Sequence, residues 1–249
     1  MKNLLLALST VGIFGTSFYT ISDIKSPQDR SAKAKDTASA VVHFAEPVSE
    51  ISKSVALYSA LNFNENPLNQ NVFEKAFHGF EKLKSSGKIN PDSHLLTICD
   101  FSKSSNTKRL WVIDTDKKEI LFNSLVAHGM GTGEEFAEKF SNTDSSHQSS
   151  LGFYVTETTY NGNNGYSLRL LGMDKGFNDA ALSRAIVMHG ADYVSENFAK
   201  QHKRIGRSWG CPAVPRDLAE PIINTIKAQN VLFIYYPDEQ YLASSEWLK

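Results

Sequence analysis

Between Arg184 and Pro215 the chain reads RAIVMHGADYVSENFAKQHKRIGRSWGCPAVP, a stretch that holds both a reactive-looking cysteine and the strand expected to face it. AIVMH (185–189) is apolar and β-branched, which predicts a buried strand ending at His189. Gly190 then releases the chain into a turn and leaves the imidazole at a strand edge facing a loop. RSWGC delivers Cys211 directly after Gly210, whose bare backbone lets a substrate approach closely. Pro212 has no N–H, so main-chain donors for an oxyanion have to come from Trp209, Gly210 or Cys211. Arg207 adds a positive charge that either favours the thiolate or holds a carboxylate through two parallel hydrogen bonds. A thiol, a base, a cation and backbone donors are together the equipment of nucleophilic acyl transfer.

Around this stretch the pattern is one of short β-branched and aromatic runs. LLTICDF (95–101), RLWVIDT (109–115), EILFNSLVAH (119–128), LGFYVTE (151–157), YSLRLLG (166–172), AIVMH and VLFIYY (231–236) predict a mostly-β body with accessory helices. NGNNG (161–165) marks a hairpin, because Asn and Gly accept positive φ. After the cysteine, Leu218, Ile222 and Ile226 recur about one turn apart and predict a helix between Asp217 and Lys227, with Pro221 tolerated only near its start. Upstream, two helices are expected to pack on the body. Ile51, Val55, Tyr58 and Leu61 share a face of the first, and Phe73, Ala76, Phe77, Phe80 and Leu83 share a face of the second, which stops at Ser85-Ser86-Gly87.

A chain of 249 residues with 41% hydrophobic content can bury a real core. Its 26 basic and 27 acidic residues nearly cancel, with no Lys/Arg block, so nucleic acid is not an expected partner. Residues 1–22, MKNLLLALSTVGIFGTSFYTIS, place Lys2 before an apolar run, the layout of a signal peptide or an uncleaved N-terminal anchor that could tether the protein to a membrane. No cysteine follows that run, which argues against a lipoprotein. Residues 23–48 read as a linker, 49–90 as a helical N-terminal part, and 91–249 as the catalytic body. The sequence leaves the oligomeric state open.

Two cysteines occur, Cys99 in an apolar run and Cys211 at a turn, surroundings too unlike to suggest a disulfide. His128 in VAHGMGTG and His147 in SSHQSS either line the cleft or satisfy loop hydrogen bonds. Gly129, Gly131 and Gly133, ahead of a helix-like EEFAEKF (134–140), invite a dinucleotide reading; Glu134 in place of the third glycine argues against it. His189, Asp192, His202 and Cys211 supply zinc-ligand types at a spacing that fits no standard zinc pattern, so neither metal nor cofactor is expected. Arg184 and Arg204 read as solvated surface cations.

HGADYV (189–194) followed by GRSWGCPAVP (206–215) resembles the signature of YkuD-type L,D-transpeptidases, which place His-Gly upstream of S-x-G-C. Together with TICDFS, RLWVIDT, VAHGMGTG, FSNTDSSHQSSLGFY and GYSLRLLGMDKGFNDAA, the likeness extends from about Tyr58 to Tyr236 and resembles the murein L,D-transpeptidase catalytic-domain branch. The resemblance implies a β-sandwich-like fold with the cysteine in a cleft. It also implies attack on the bond between the diamino acid and D-alanine of a peptidoglycan tetrapeptide stem, then transfer of the acyl group to an amine as a 3→3 cross-link. Carried over, Cys211 is the nucleophile and His189 the base, Ser208 is the motif serine, and Gly210 lies beside the oxyanion site. Trp209 stands where the commoner S-H-G-C motif has histidine, which leaves His189 as the partner for the thiol. Arg207, Ser208, His128, Gly190 and His147 are the candidates for substrate contact. The implied location is the periplasm or cell envelope. Water as acceptor, giving an L,D-carboxypeptidase, and a wall-binding protein without turnover are the alternatives.

Overall fold

Asn69 begins the better-defined of two leading helices: its side chain accepts the backbone N–H groups of Asn71 and Val72, satisfying donors that a helix start leaves unpaired. The computed structural model describes residues 50–249, in which α1 spans Glu50–Ala60 and α2 spans Gln70–Ser85. The expected signal or anchor (1–22) and the whole of the linker segment (23–48) lie outside these residues. Among the described residues no helix is long and apolar enough to cross a membrane.

The expected apolar face of α2 is buried throughout: Phe73, Ala76, Phe77, Phe80 and Leu83 pack against the sheet. The face of α1 is rotated from expectation, since Leu57 and Leu61 are buried while Val55 is 38% exposed. Gly79 lets α2 lie against the aromatic core, because an added Cβ would come within 2.7 Å of Phe153 Cε2 and closer to two other ring atoms. Alanine gains about 1 kcal/mol of helix propensity; overpacking a filled core costs about 1–3 kcal/mol. Gly79→Ala is therefore expected to lower the urea-unfolding free energy by up to about 2 kcal/mol. A raised midpoint would show that the Phe153 ring moves aside without penalty.

Among the described residues eight strands form one hydrogen-bonded sheet: β1 (Leu95–Asp100), β2 (Leu110–Asp114), β3 (Glu119–Ser124), β4 (Gly152–Gly162), β5 (Gly165–Gly172), β6 (Val187–Ala191), β7 (Ala213–Pro215) and β8 (Val231–Tyr235). Their order is β3-β2-β1-β8-β4-β5-β6-β7. β1, β2 and β8 are buried at every residue, as strands covered on both faces should be, and this is why they read as continuous apolar runs. Phe153 on β4 stacks on Phe233 of β8 with centroids 4.1 Å apart. The NGNNG hairpin pairs Gly162 with Gly165, and the positive φ falls on Gly165. Beyond β3, Ala127 N–H donates to Ala213 O at 2.8 Å, so the edge strands β3 and β7 approach and the sheet curls toward closure.

Two elements near the cysteine differ from expectation. β6 does not end at His189; it starts at Val187 and runs through Gly190 to Ala191, so His189 sits mid-strand between Ser167 and Ala213. Residues 134–140 form no helix. The helix after the cysteine, α4 (Arg216–Ile226), follows α3 (Glu196–His202) and buries Ala219, Ile222, Ile223 and Ile226; Pro221 lies inside it. Gly190 faces α4, since a Cβ there would lie 2.8 Å from Ala219 Cβ. At the end of the chain, α5 (Glu239–Ser244) and the 3-10 turn Glu246–Leu248 are latched to the body by Asp174. Its carboxylate accepts from Phe153 N–H at 2.7 Å, Tyr241 OH at 3.3 Å and Ser245 OH. Burial, opposed by these donors, pushes the Asp174 pKa up to about 6.

Candidate active site

Ser208 shapes the turn that carries the thiol. Its hydroxyl donates to Cys211 O at 2.6 Å and accepts Gly210 N–H at 3.1 Å, so it folds the four-residue loop on itself and is buried in doing so. Main-chain bonds fix this loop from the other side: Ser208 N–H donates to His128 O and Met130 N–H to Ser208 O. Gly210 has φ +119, where an L side chain is strained, and a Cβ there would lie 2.7 Å from Gln148 O. A Cβ on Gly129 would lie 2.9 Å from Gly210 Cα. The glycines of this region thus answer to a strap, residues 141–150, that crosses directly over the cysteine loop. Ser149 Oγ ties the crossing, accepting Gly129 N–H at 3.1 Å and donating to Gly210 O at 3.3 Å.

The Cys211 sulfur is half-buried beside the start of β6, 3.5 Å from Val187 N and 3.8 Å from Ala185 O. His189 lies two residues beyond Val187, so both side chains point to the same face of the strand, about 7 Å apart along it. His189 Nδ1 lies 3.1 Å from Gly190 O; a carbonyl only accepts, so Nδ1 carries the proton and Nε2 keeps its lone pair. Burial lowers the His189 pKa, Gly190 O partly offsets this, and the Arg216 charge lowers it further. Burial raises the Cys211 thiol, while Val187 N–H and the Arg184 charge pull it back. Both shifts act against the charged forms, the imidazolium and the thiolate.

Tyr193 belongs to the same wall and was not singled out from sequence. Burial, then the nearby Cys211, push its phenol up to about 12, against the pull of Arg216. Its ring fills the space left by Gly206, where a Cβ would meet Tyr193 Cδ2 at 2.5 Å. Tyr193 lies four residues after His189 and Gly206 five before Cys211, and nothing local in either segment predicts the contact.

The other candidates divide. Trp209 is 70% exposed and stacks on His147, centroids 4.9 Å apart and planes within 17°, so these two form a rim beside the thiol. His128 does not line the cleft. It is buried, accepts Arg109 Nη2–H on Nδ1 at 2.8 Å and faces Gly133 O through Nε2 at 3.3 Å; burial and the Arg109 charge lower its pKa to about 4. Gly190 packs on α4 and contributes its carbonyl to His189. Arg207 is engaged already: its Nη1 donates to Glu134 Oε1 at 2.6 Å and to Gly133 O at 3.1 Å. A substrate carboxylate would have to compete with Glu134, which also pairs with Arg204 at 2.8 Å.

Arg184 is not a solvated cation. Its Nη1 donates to Ser141 O and Ser150 Oγ, and its Nη2 to Ser146 Oγ and Gln148 O, at 2.6–3.1 Å. Both cysteines are free thiols, and burial pushes Cys99 up to about 12. Among the described residues no group of three or more His, Cys, Asp or Glu is arranged to hold a metal. A cleft of about 590 Å³, lined in part by Lys108, Leu125, Ala191, Asp192 and Arg216, opens at the far end of β6 from the thiol.

The family described as L,D-transpeptidase catalytic domain matches residues 64–235. Among solved structures, an L,D-transpeptidase from Mycobacterium smegmatis is 12% identical at a TM-score of 0.35, covering 58% of this chain and 59% of its own. An L,D-transpeptidase from Mycobacterium tuberculosis H37Rv is 14% identical at 0.35, covering 57% and 58%. The helical cell shape determining protein Pgp2 (K307A mutant) from Campylobacter jejuni is 13% identical at 0.37, covering 65% and 56%. The chain thus spans less than two-thirds of the length of each of these structures. No curated protein matches it.

Proposed function

Because the chain belongs to the L,D-transpeptidase catalytic domain family, we propose that it is a peptidoglycan-modifying cysteine acyltransferase acting in the cell envelope after export through its N-terminal segment. The observation that carries this reading is the register of β6: Val187 N–H lies 3.5 Å from the Cys211 sulfur, and His189, two residues further along the strand, pairs with Ala213, two residues after the cysteine. The substrate we assign is the tetrapeptide stem, with the scissile bond between the diamino acid and D-alanine.

His189 Nε2 accepts the thiol proton as Cys211 sulfur attacks the carbonyl, and the oxyanion that forms needs main-chain donors. Gly210 N–H is already committed to Ser208 Oγ, which leaves the N–H groups of Trp209 and Cys211 for that role. Collapse of the tetrahedral species breaks the C–N bond, and the imidazolium returns its proton to the departing D-alanine amine. The resulting thioester is attacked by the side-chain amine of a second stem, whose proton passes to His189. The Trp209–His147 rim stands where an incoming acceptor would meet the acyl-enzyme. The expected products from a defined tetrapeptide muropeptide are free D-alanine and a 3→3 cross-linked dimer, read by mass spectrometry. Tripeptide without dimer would instead make water the acceptor; no D-alanine at all would overturn the reading.

A further inference from the structure

Arg184 anchors the strap over the cysteine loop with all four of the bonds described above, and it does so without a counter-ion. Among the described residues no carboxylate comes within ion-pairing distance of it. Its Nε is buried with no hydrogen-bond partner, an uncommon expense for a guanidinium whose N–H groups normally all find acceptors. The residue after it, Ala185, adopts φ +54, left-handed for a non-glycine, and turns its carbonyl to the Cys211 sulfur at 3.8 Å. The segment 184–187 therefore sets the Ala185 carbonyl and the Val187 N–H along one wall of the thiol, with the unneutralised Arg184 at its start. The acceptors of its fork are two carbonyls and two serine hydroxyls, none of which cancels its charge.

We propose that Arg184 is a positioning residue for the nucleophile: its fork holds the 141–150 strap down on Gly210, and its uncancelled charge favours the Cys211 thiolate when the proton leaves. This rests on the reading of Cys211 as nucleophile. Arg207, nearer in sequence, cannot supply that charge equally, because Glu134 neutralises it. His189 on β6, its pKa lowered by burial, and Tyr193, whose phenol carries no positive charge in either form, also face this region, and Arg216 beside them is paired with Asp192. The strap end of the argument is independent of charge: Gln148 O and Ser149 Oγ, which touch the Gly210 backbone, lie within the segment Arg184 fastens.

The test is the rate of iodoacetamide alkylation of Cys211 in the full chain as a function of pH, for wild type, Arg184→Lys and Arg184→Met, with Cys211→Ala as blank. Loss of the charge in Arg184→Met is expected to raise the midpoint of thiol reactivity by about one pH unit, about tenfold slower labelling at neutral pH. Arg184→Lys keeps the charge and is expected to keep the midpoint within a few tenths of a unit. Having lost the fork, it should open the 141–150 strap to limited proteolysis. Superimposable pH profiles for wild type and Arg184→Met overturn the proposal, as does a Lys variant shifted as far as Met. If the Met variant does not fold, Arg184→Gln, which also removes the charge, takes its place in the same comparison. A wild-type Cys211 inert at every pH takes down the nucleophile reading as well, whereas a reactive one indifferent to residue 184 sinks only this inference.

Discussion

Cys211→Ala is expected to reduce D-alanine release from tetrapeptide substrate by at least ~10⁴-fold, with the protein still folded. The sulfur is the only atom removed, and it is half-buried, so the lost packing costs about 1 kcal/mol or less. No second thiol can substitute. Cys99 is fully buried in β1, and its thiol is held up near 12, so it is neither reachable nor ionised. The measurement is single-turnover product formation by mass spectrometry, alongside near-ultraviolet circular dichroism. Residual release above one-thousandth of wild type would mean the acyl group never resides on this sulfur.

His189→Gln is expected to lower kcat/KM by about 10²–10⁴-fold. Glutamine fits the mid-strand position and keeps a polar tip, but it cannot accept the thiol proton. The pH dependence gives a second reading of the same residue. Burial holds the imidazole pKa below its ordinary 6.5, so the base stays unprotonated through neutrality and is lost only as pH falls under that value. The acid limb of wild-type kcat/KM should accordingly lie below pH 6.5 and vanish in the glutamine variant. Because the folded-state pKa is depressed, protonation in that same acid range also weakens the fold, so rates should be taken after short exposures. An acid limb that persists unchanged in His189→Gln would assign the titration to another group.

What the sequence disclosed follows from range. Strands such as LLTICDF and VLFIYY announce themselves because burial on both faces makes them predominantly apolar. β7 escaped, since three residues after Pro212 show no period. α3 escaped because it buries nothing, and a helix without a buried face leaves no apolar stripe. The site divides the same way. Cys211 and His189 were singled out from local turn and strand chemistry; the fold sets His189 in register with Ala213, two residues after the cysteine. The partners of Arg184 lie 34–43 residues upstream, so it read as a solvated cation, and the Glu134 partner of Arg207 lies 73 residues away, so Arg207 read as available to substrate. Of the two readings open for His128, cleft lining or a local hydrogen bond, the structure shows the hydrogen bond, from Arg109 19 residues upstream.

β8 fills the slot between β1 and β4, although it follows every other strand in the chain. Until Val231–Tyr235 is made, the strands before it pair as β3-β2-β1 and β4-β5-β6-β7, with the facing edges of β1 and β4 bare. Vectorial synthesis therefore cannot finish this sheet piecemeal; closure waits for the last strand and then proceeds through contacts very distant in sequence, a slow topology.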